Sequence, residues 1–134
     1  MKIMIVCSYA FYNQIPEVKN KLEEMNIEVK VPNGYDDENF ITLYPDDEGF
    51  ADWIGSLRKM SEESISKVDA ILVLNYTKND TPNYIGGSTF LEMNDAYRMN
   101  KKIYIMNDIP DGILTDEIIG FKPIVLNGDL SKIV

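Results

Sequence analysis

The sequence has no histidine, a single cysteine, and no apolar run approaching the ~20 residues that a membrane-spanning helix needs. Without histidine there is no Ser-His-Asp or Cys-His arrangement, and most zinc and iron sites lose their usual ligand. Any chemistry falls to carboxylates, hydroxyls, amides or Cys7. One cysteine excludes an internal disulfide and fits a reducing cytoplasm, where the protein is expected to reside. Positive charge is also scarce: 13 Lys and Arg stand against 22 Asp and Glu, a net charge of −9. That balance argues against duplex nucleic acid, whose binding rests on cations neutralising phosphates. A small anion needs only one local nest of N–H groups, which net charge does not forbid. No membrane partner, cofactor or bound metal is expected. The acidic run from Asp36 to Glu48 lacks the spacing of a calcium loop.

What remains is a chain of 134 residues, enough for one domain spanning 1–134 with a single core. The opening MKIMIVCS superficially resembles a secretory leader. Its apolar part, Ile3 to Cys7, is shorter than the roughly 7–15 residues of a signal core, so it reads as a first strand. Ile15, Val18, Leu22 and Met25 then recur at helical spacing, with Pro16 suited to a first turn. Ile27, Val29 and Val31 alternate with charged residues, as in an edge strand. A long acidic loop runs from Pro32 to Pro45. A second helix from Asp46 or Asp47 is expected to bury Phe50, Trp53, Ile54, Leu57, Ile65 and Val68. Ala70–Leu74 is the most apolar strand, followed by a helix from Thr89 to Met99. A strand over Lys102–Met106, a short helix or turn at Thr115–Ile119 and a last strand over Pro123–Leu126 complete the chain. Alternating strands and helices of these lengths predict a flavodoxin-like, Rossmann-like α/β three-layer sandwich. Its five-stranded parallel sheet would have the order 2-1-3-4-5.

The stretch from Asp69 to Ala96 carries the most information. An apolar strand leads through a loop rich in Asn, Pro and Gly to Gly86-Gly87-Ser88-Thr89 and a helix containing Glu92. In an α/β fold this order puts a glycine turn and a helix N-terminus at the carboxyl end of a strand, where ligands bind. Gly86 and Gly87 allow close backbone approach, and the first N–H groups of the helix favour an anion. Glu92 follows Ser88 by four positions and so shares its helix face. The pattern is neither a P-loop nor a dinucleotide fingerprint. Ser8-Tyr9, Asn75-Tyr76, Asn107-Asp108 and Asn127 to Asp129 follow the other apolar strands and are expected to line the same crevice. Each has a plain alternative: a solvated Glu92, rim packing for Tyr9 and Tyr76, a tight turn for the glycines, and a buried strand end for Cys7.

With these residues the chain resembles the nucleoside 2-deoxyribosyltransferase-like superfamily, which includes 2'-deoxynucleoside 5'-monophosphate N-glycosidases. The resemblance rests on Ser8-Tyr9 after the first strand, on VDAILVLN, on GGSTFLEMNDAYRMNKKIYIM, and on the closing FKPIVLNGDL, and it spans nearly the whole chain. It implies a small-molecule nucleoside or nucleotide as ligand. It also implies Glu92 as a nucleophile that forms a covalent glycosyl-enzyme, by the two-step logic of retaining glycosidases. A second acidic residue on the preceding helix, matched by Glu62 or Glu63, would contact the sugar, with Tyr9 beside it. Ser88 would hold a 5'-phosphate, and Asn83 or Asp80 is nearest to the group that protonates the leaving base. Ser8, Asn75, Gly86, Gly87, Asn127 and Asp129 would complete the ligand shell. Two departures stand out. Asn94 replaces the usual glycine two residues after the nucleophile and is expected to narrow the pocket, and position 86 holds Gly where transferases carry a nearby Asp. A homodimer or larger assembly is expected, through apolar residues around Trp53, Phe90 and Tyr97. The rival expectation is a non-catalytic nucleotide-binding or sequestering module on the same fold. A response-regulator-like domain is disfavoured by Ser8 and Asn75 at its acidic positions.

Overall fold

The structure, a computed structural model, describes residues 1–35 and 47–134, with the backbone alone at 47 and 48. The acidic run from Asp36 and the alternative helix start at Asp46 lie outside the described residues. The elements are β1 (Lys2–Val6), α1 (Ile15–Glu24), β2 (Glu28–Lys30), α2 (Asp47–Ser66), β3 (Ala70–Val73), α3 (Gly87–Arg98), β4 (Lys102–Ile105), α4 (Thr115–Gly120) and β5 (Ile124–Val125). Short 3₁₀ turns occupy Tyr9–Gln14 and Leu130–Lys132. The five strands are all parallel in the order β2-β1-β3-β4-β5, the flavodoxin-like arrangement that the element pattern predicts.

Strand alternation sorts the core into two layers, because successive side chains leave a strand on opposite faces. Ile3, Ile5, Leu72, Leu74 and Tyr104 face α1 and the final 3₁₀ turn, where Ile15, Val18, Leu22, Leu130 and Ile133 meet them. Met4, Val6, Ile71, Val73, Ile103 and Ile105 face the other way, onto Ile65 of α2, Met93 and Ala96 of α3, and Ile118 of α4. Burial on both faces explains why β1 and β3 read as continuous apolar runs. Helices α1 and α3 each turn back into a strand through an asparagine in the left-handed region, Asn26 (φ 62) and Asn100 (φ 58). The closing bonds run from Ile27 N–H to Leu22 C=O (3.1 Å) and from Lys101 N–H to Ala96 C=O (2.9 Å).

Helix α2 corrects one expectation. Ile65 is fully buried, and so is Val68 just beyond the helix, but Phe50 and Ile54 are 43% and 39% exposed, and Trp53 and Leu57 are half-buried. The reason is length. Twenty helical residues extend ~30 Å, whereas four or five strand residues extend only ~13–17 Å. The amino-terminal half of α2 therefore overhangs the carboxyl edge of the sheet, and among the described residues no strand lies beneath it. That overhang forms a wall.

Candidate functional site

A cleft of about 310 Å³ lies beneath the overhang, at the carboxyl end of β1. Here the strand order reverses between β1 and β3, which is where open parallel sheets accept ligands. Its floor is Cys7 and Ser8, which follow β1, and Tyr12 of the following 3₁₀ turn, with Tyr9 at the edge. Pro32 and Asn33 close one side. Trp53, Ile54, Leu57, Arg58 and Ser61 form the α2 wall, and Tyr84 with the Gly86–Thr89 turn and Glu92 forms the opposite one. The volume and the mixture of apolar walls with a few convergent polar groups suit a small molecule.

Gly86 precedes the first turn of α3 in extended conformation (φ −82, ψ 176), and no side chain caps the helix. Phe90 N–H is the first to bond back, to Gly86 C=O at 2.9 Å. The N–H groups of Gly87, Ser88 and Thr89 therefore have no intrahelical acceptor, and they stand at the positive end of the helix dipole. Neither glycine adopts a left-handed conformation, so the turn itself does not require them. A Cβ on Gly86 would come within 3.2 Å of the Tyr84 hydroxyl, while one on Gly87 would meet nothing within 4 Å. Glycine at 87 leaves room beside the helix terminus. The strained positions of the preceding loop fall instead on Asn79, Asp80 and Asn83, with φ of 47, 64 and 56.

Glu92 lies one turn further along and is only 9% exposed. Burial pushes its carboxyl up to about 7; the Arg58 guanidinium pulls the other way, and the Asp95 carboxylate adds to the rise. Arg58 reaches across from α2 to place Nη2 2.6 Å from Oδ2 of Asp95. The Cys7 thiol is pushed up to about 12 by burial and by the charge of Glu92, so it stays protonated and is no nucleophile at neutral pH. The Tyr12 phenol is likewise raised by burial, then by Cys7, Glu92 and Tyr9, and remains a hydrogen-bond donor. Tyr9, 59% exposed, packs at 5.0 Å on Tyr12 and forms the rim.

Of the residues singled out in the sequence, Cys7, Ser8, Tyr9, Gly86, Gly87, Ser88, Thr89 and Glu92 meet in this cleft, beside Trp53, Ile54 and Leu57 of α2. The others do not line it. Glu62 is exposed on α2, where its neighbour Ser61 faces the cleft, and Glu63 pairs with Lys67 at 3.1 Å. Asn75 is completely buried and clasps the next strand end. Its Nδ2 donates to the carbonyls of Asn107 (3.1 Å) and Asp108 (3.0 Å), and its Oδ1 accepts from Asn107 N–H (2.9 Å). Tyr76 packs edge-to-face on Phe11 at 5.5 Å. Asn83 and Asn127 (φ 50) hold left-handed turns. Asp129 accepts from the N–H and hydroxyl of Ser131 at 3.0 and 2.6 Å, and these bonds keep its carboxyl below the usual range. The strand ends of β4 and β5 thus contribute nothing to the cleft, because it opens on the β1 side of the sheet. Asn94 does not line it either, so the departure from glycine there does not narrow it.

Arg58, Asp95, Tyr12 and Asn33 were not anticipated. Asp95 carries a local signal, since it follows Glu92 by three positions on one helix face. Arg58 carries none, since its partner lies 37 residues away. Among the described residues no group of three or more metal-capable side chains occurs, and no helix is long and apolar enough to cross a membrane.

No protein-family model matches the chain, and no curated protein does. Solved structures do. The 2-deoxyribosyltransferase of the psychrotolerant bacterium Bacillus psychrosaccharolyticus superposes with a TM-score of 0.59 at 16% identity, over 87% of this chain and 81% of that one. The CMP N-glycosidase BcmB of Clostridium botulinum gives 0.53 at 16% identity, over 93% and 85%. FerB, a flavoenzyme NAD(P)H:(acceptor) oxidoreductase of Paracoccus denitrificans, gives 0.50 at 14% identity, over 92% and 74%. At such identities the shared property is the fold.

Proposed function

We propose that the cleft binds a nucleoside or its 5'-monophosphate and cleaves or exchanges the N-glycosidic bond, with Glu92 as the nucleophile. The observation that carries this reading is the placement of a buried carboxylate one helical turn, ~5.4 Å, behind a helix N-terminus open to an anion. That spacing resembles the span from the 5'-phosphate of a nucleotide to its anomeric carbon. A phosphate or 5'-hydroxyl at Ser88 and the α3 N–H groups would bring the sugar over Glu92. The Glu92 carboxylate then attacks the anomeric carbon, a glycosyl ester forms, and the bond to the base breaks with its electron pair leaving on the base. Water or a second base attacks the same carbon to release Glu92. Two of the three structural relatives act on such bonds by name, which supports the reading at the level of nucleoside glycosyl chemistry.

Tyr12, protonated and beside Glu92, is suited to hydrogen-bond the sugar or the departing group, while Tyr9 closes the rim. Glu62 has no part in this arrangement, since it does not line the cleft. The deciding experiment incubates the protein with a panel of deoxynucleosides, ribonucleosides and their 5'-monophosphates and separates free base by chromatography. Release of base from any of them, abolished in Glu92→Gln, is the expected result. Calorimetric binding of the same compounds without any release would replace the enzyme by a nucleotide-binding module on the same scaffold.

A further inference from the structure

Among the described residues, four titratable groups from four elements face Glu92: Arg58 from α2 and Asp95 from α3, which act on its charge, and Cys7 after β1 and Tyr12 of the 3₁₀ turn, both protonated, on which Glu92 acts. Only Arg58 is positive. Its ion pair, however, is with Asp95, at 2.6 Å, and none joins it to Glu92. Asp95 is as buried as Glu92 and sits three positions further along the same helix, so the two carboxylates compete for one guanidinium. Arg58 also lines the cleft and retains 27% side-chain exposure.

We propose that Arg58 is a positioning residue, held by Asp95 so that Glu92 faces the cleft beside a fixed counter-charge to which it is not bonded. A direct Arg58–Glu92 bond would occupy the carboxylate lone pairs that must attack carbon. With Asp95 taking that bond, Glu92 keeps its lone pairs free. When Glu92 becomes an ester its charge passes to the departing base, and Arg58 and Asp95 remain as a neutral pair. This inference rests on the role of Glu92 proposed above.

The test follows the Glu92 carboxyl by carbon-13 NMR across pH, alongside base release, in the wild type, Asp95→Asn, Arg58→Lys and the double variant Arg58→Gln/Asp95→Asn. In Asp95→Asn the guanidinium should pass to Glu92. The titration midpoint should then fall by about one pH unit or more, and kcat should fall at little change in KM. Arg58→Lys keeps the charge and should stay near the wild-type midpoint. The double variant, with no cation and no competing carboxylate, should titrate well above Asp95→Asn. It also avoids the unpaired buried Asp95 charge that Arg58→Gln alone would leave, a charge that works against folding. Equal midpoints in the double variant and Asp95→Asn would overturn the assignment and leave Arg58–Asp95 as a structural strut between α2 and α3. The shifts do not depend on turnover. If they occur in a protein that releases no base, the glycosidic reading fails and the counter-charge stands; an active protein without them rejects Arg58 alone.

Discussion

At the scale of single residues, Glu92 joins a proposed reaction to a measurable property of the fold. Gln is nearly isosteric with it but cannot act as a carboxylate nucleophile. Glu92→Gln should therefore cost several powers of ten in base release, roughly 4–8 kcal/mol of barrier, with ligand binding retained; wild-type turnover in the variant would remove Glu92 from the mechanism. A second outcome concerns stability alone. The Glu92 carboxyl titrates at about 7 in the folded protein against an ordinary 4.5, so between these values the folded chain holds a proton that the unfolded chain has lost. Stability attributable to this group is full below about pH 4.5 and is lost as pH rises through 7, a total of roughly 3 kcal/mol. Urea melts should show Glu92→Gln gaining on the wild type between pH 5 and pH 8, and a difference independent of pH would contradict the buried, raised carboxyl. That Glu92 and Ser88 share one cleft was legible because both lie on one short segment with helical spacing. Asn75, Asn83 and Asn127, expected beside them, fall outside the cleft for a different reason. Asparagine after a strand serves ligand binding, left-handed turns and side-chain clasps equally well, and sequence order does not separate the three.

At the scale of elements, α3 sets two requirements against each other at its first turn. An acidic residue near a helix N-terminus ordinarily stabilises the helix by ~0.3–1 kcal/mol. Ser88→Asp should accordingly leave the melting temperature unchanged or slightly raised. It should also weaken binding of a 5'-monophosphate far more than of the matching nucleoside, because the new carboxylate occupies the position where the phosphate would sit. Equal weakening of both ligands in calorimetry would separate Ser88 from any phosphate. The strands and α1 were readable from apolar periodicity, since burial on two faces or on one stripe leaves a direct mark. Helix α2 was only half readable. Its apolar residues continue past the edge of the sheet, and Trp53 and Leu57 line a cleft where the spacing implied a core. Periodicity reports which side of a helix is apolar; the length of the neighbouring strands decides what that side meets. The pairing of Arg58 with Asp95 depends on how α2 settles on α3, which no local pattern encodes.

For the whole molecule, two aromatic groupings stand at or near the surface of the described residues. Phe50 and Trp53 stack on α2 at 6.1 Å, while Phe90 and Tyr97 both lean on Phe121, at 5.5 and 5.6 Å, near the exposed Leu91 and Ile119. Light scattering at micromolar concentration is expected to give twice the 15.3 kDa of one chain or more, and a mass of one chain would remove the expected assembly. The strand order carries a further consequence, for the growing chain. β1 sits between β2 and β3, and its partner on the inner side, beginning at Ala70 opposite Ile3, is made some 67 residues later. While the ribosome is still synthesising α2, β1 can pair only with the short β2. One edge of its apolar run from Ile3 to Val6 then has no strand to meet. A fragment released at residue 66 should aggregate, whereas one extended through β4 should stay in solution; nascent chains of this protein therefore pass through a window, closed by the arrival of β3, in which a chaperone has something to hold.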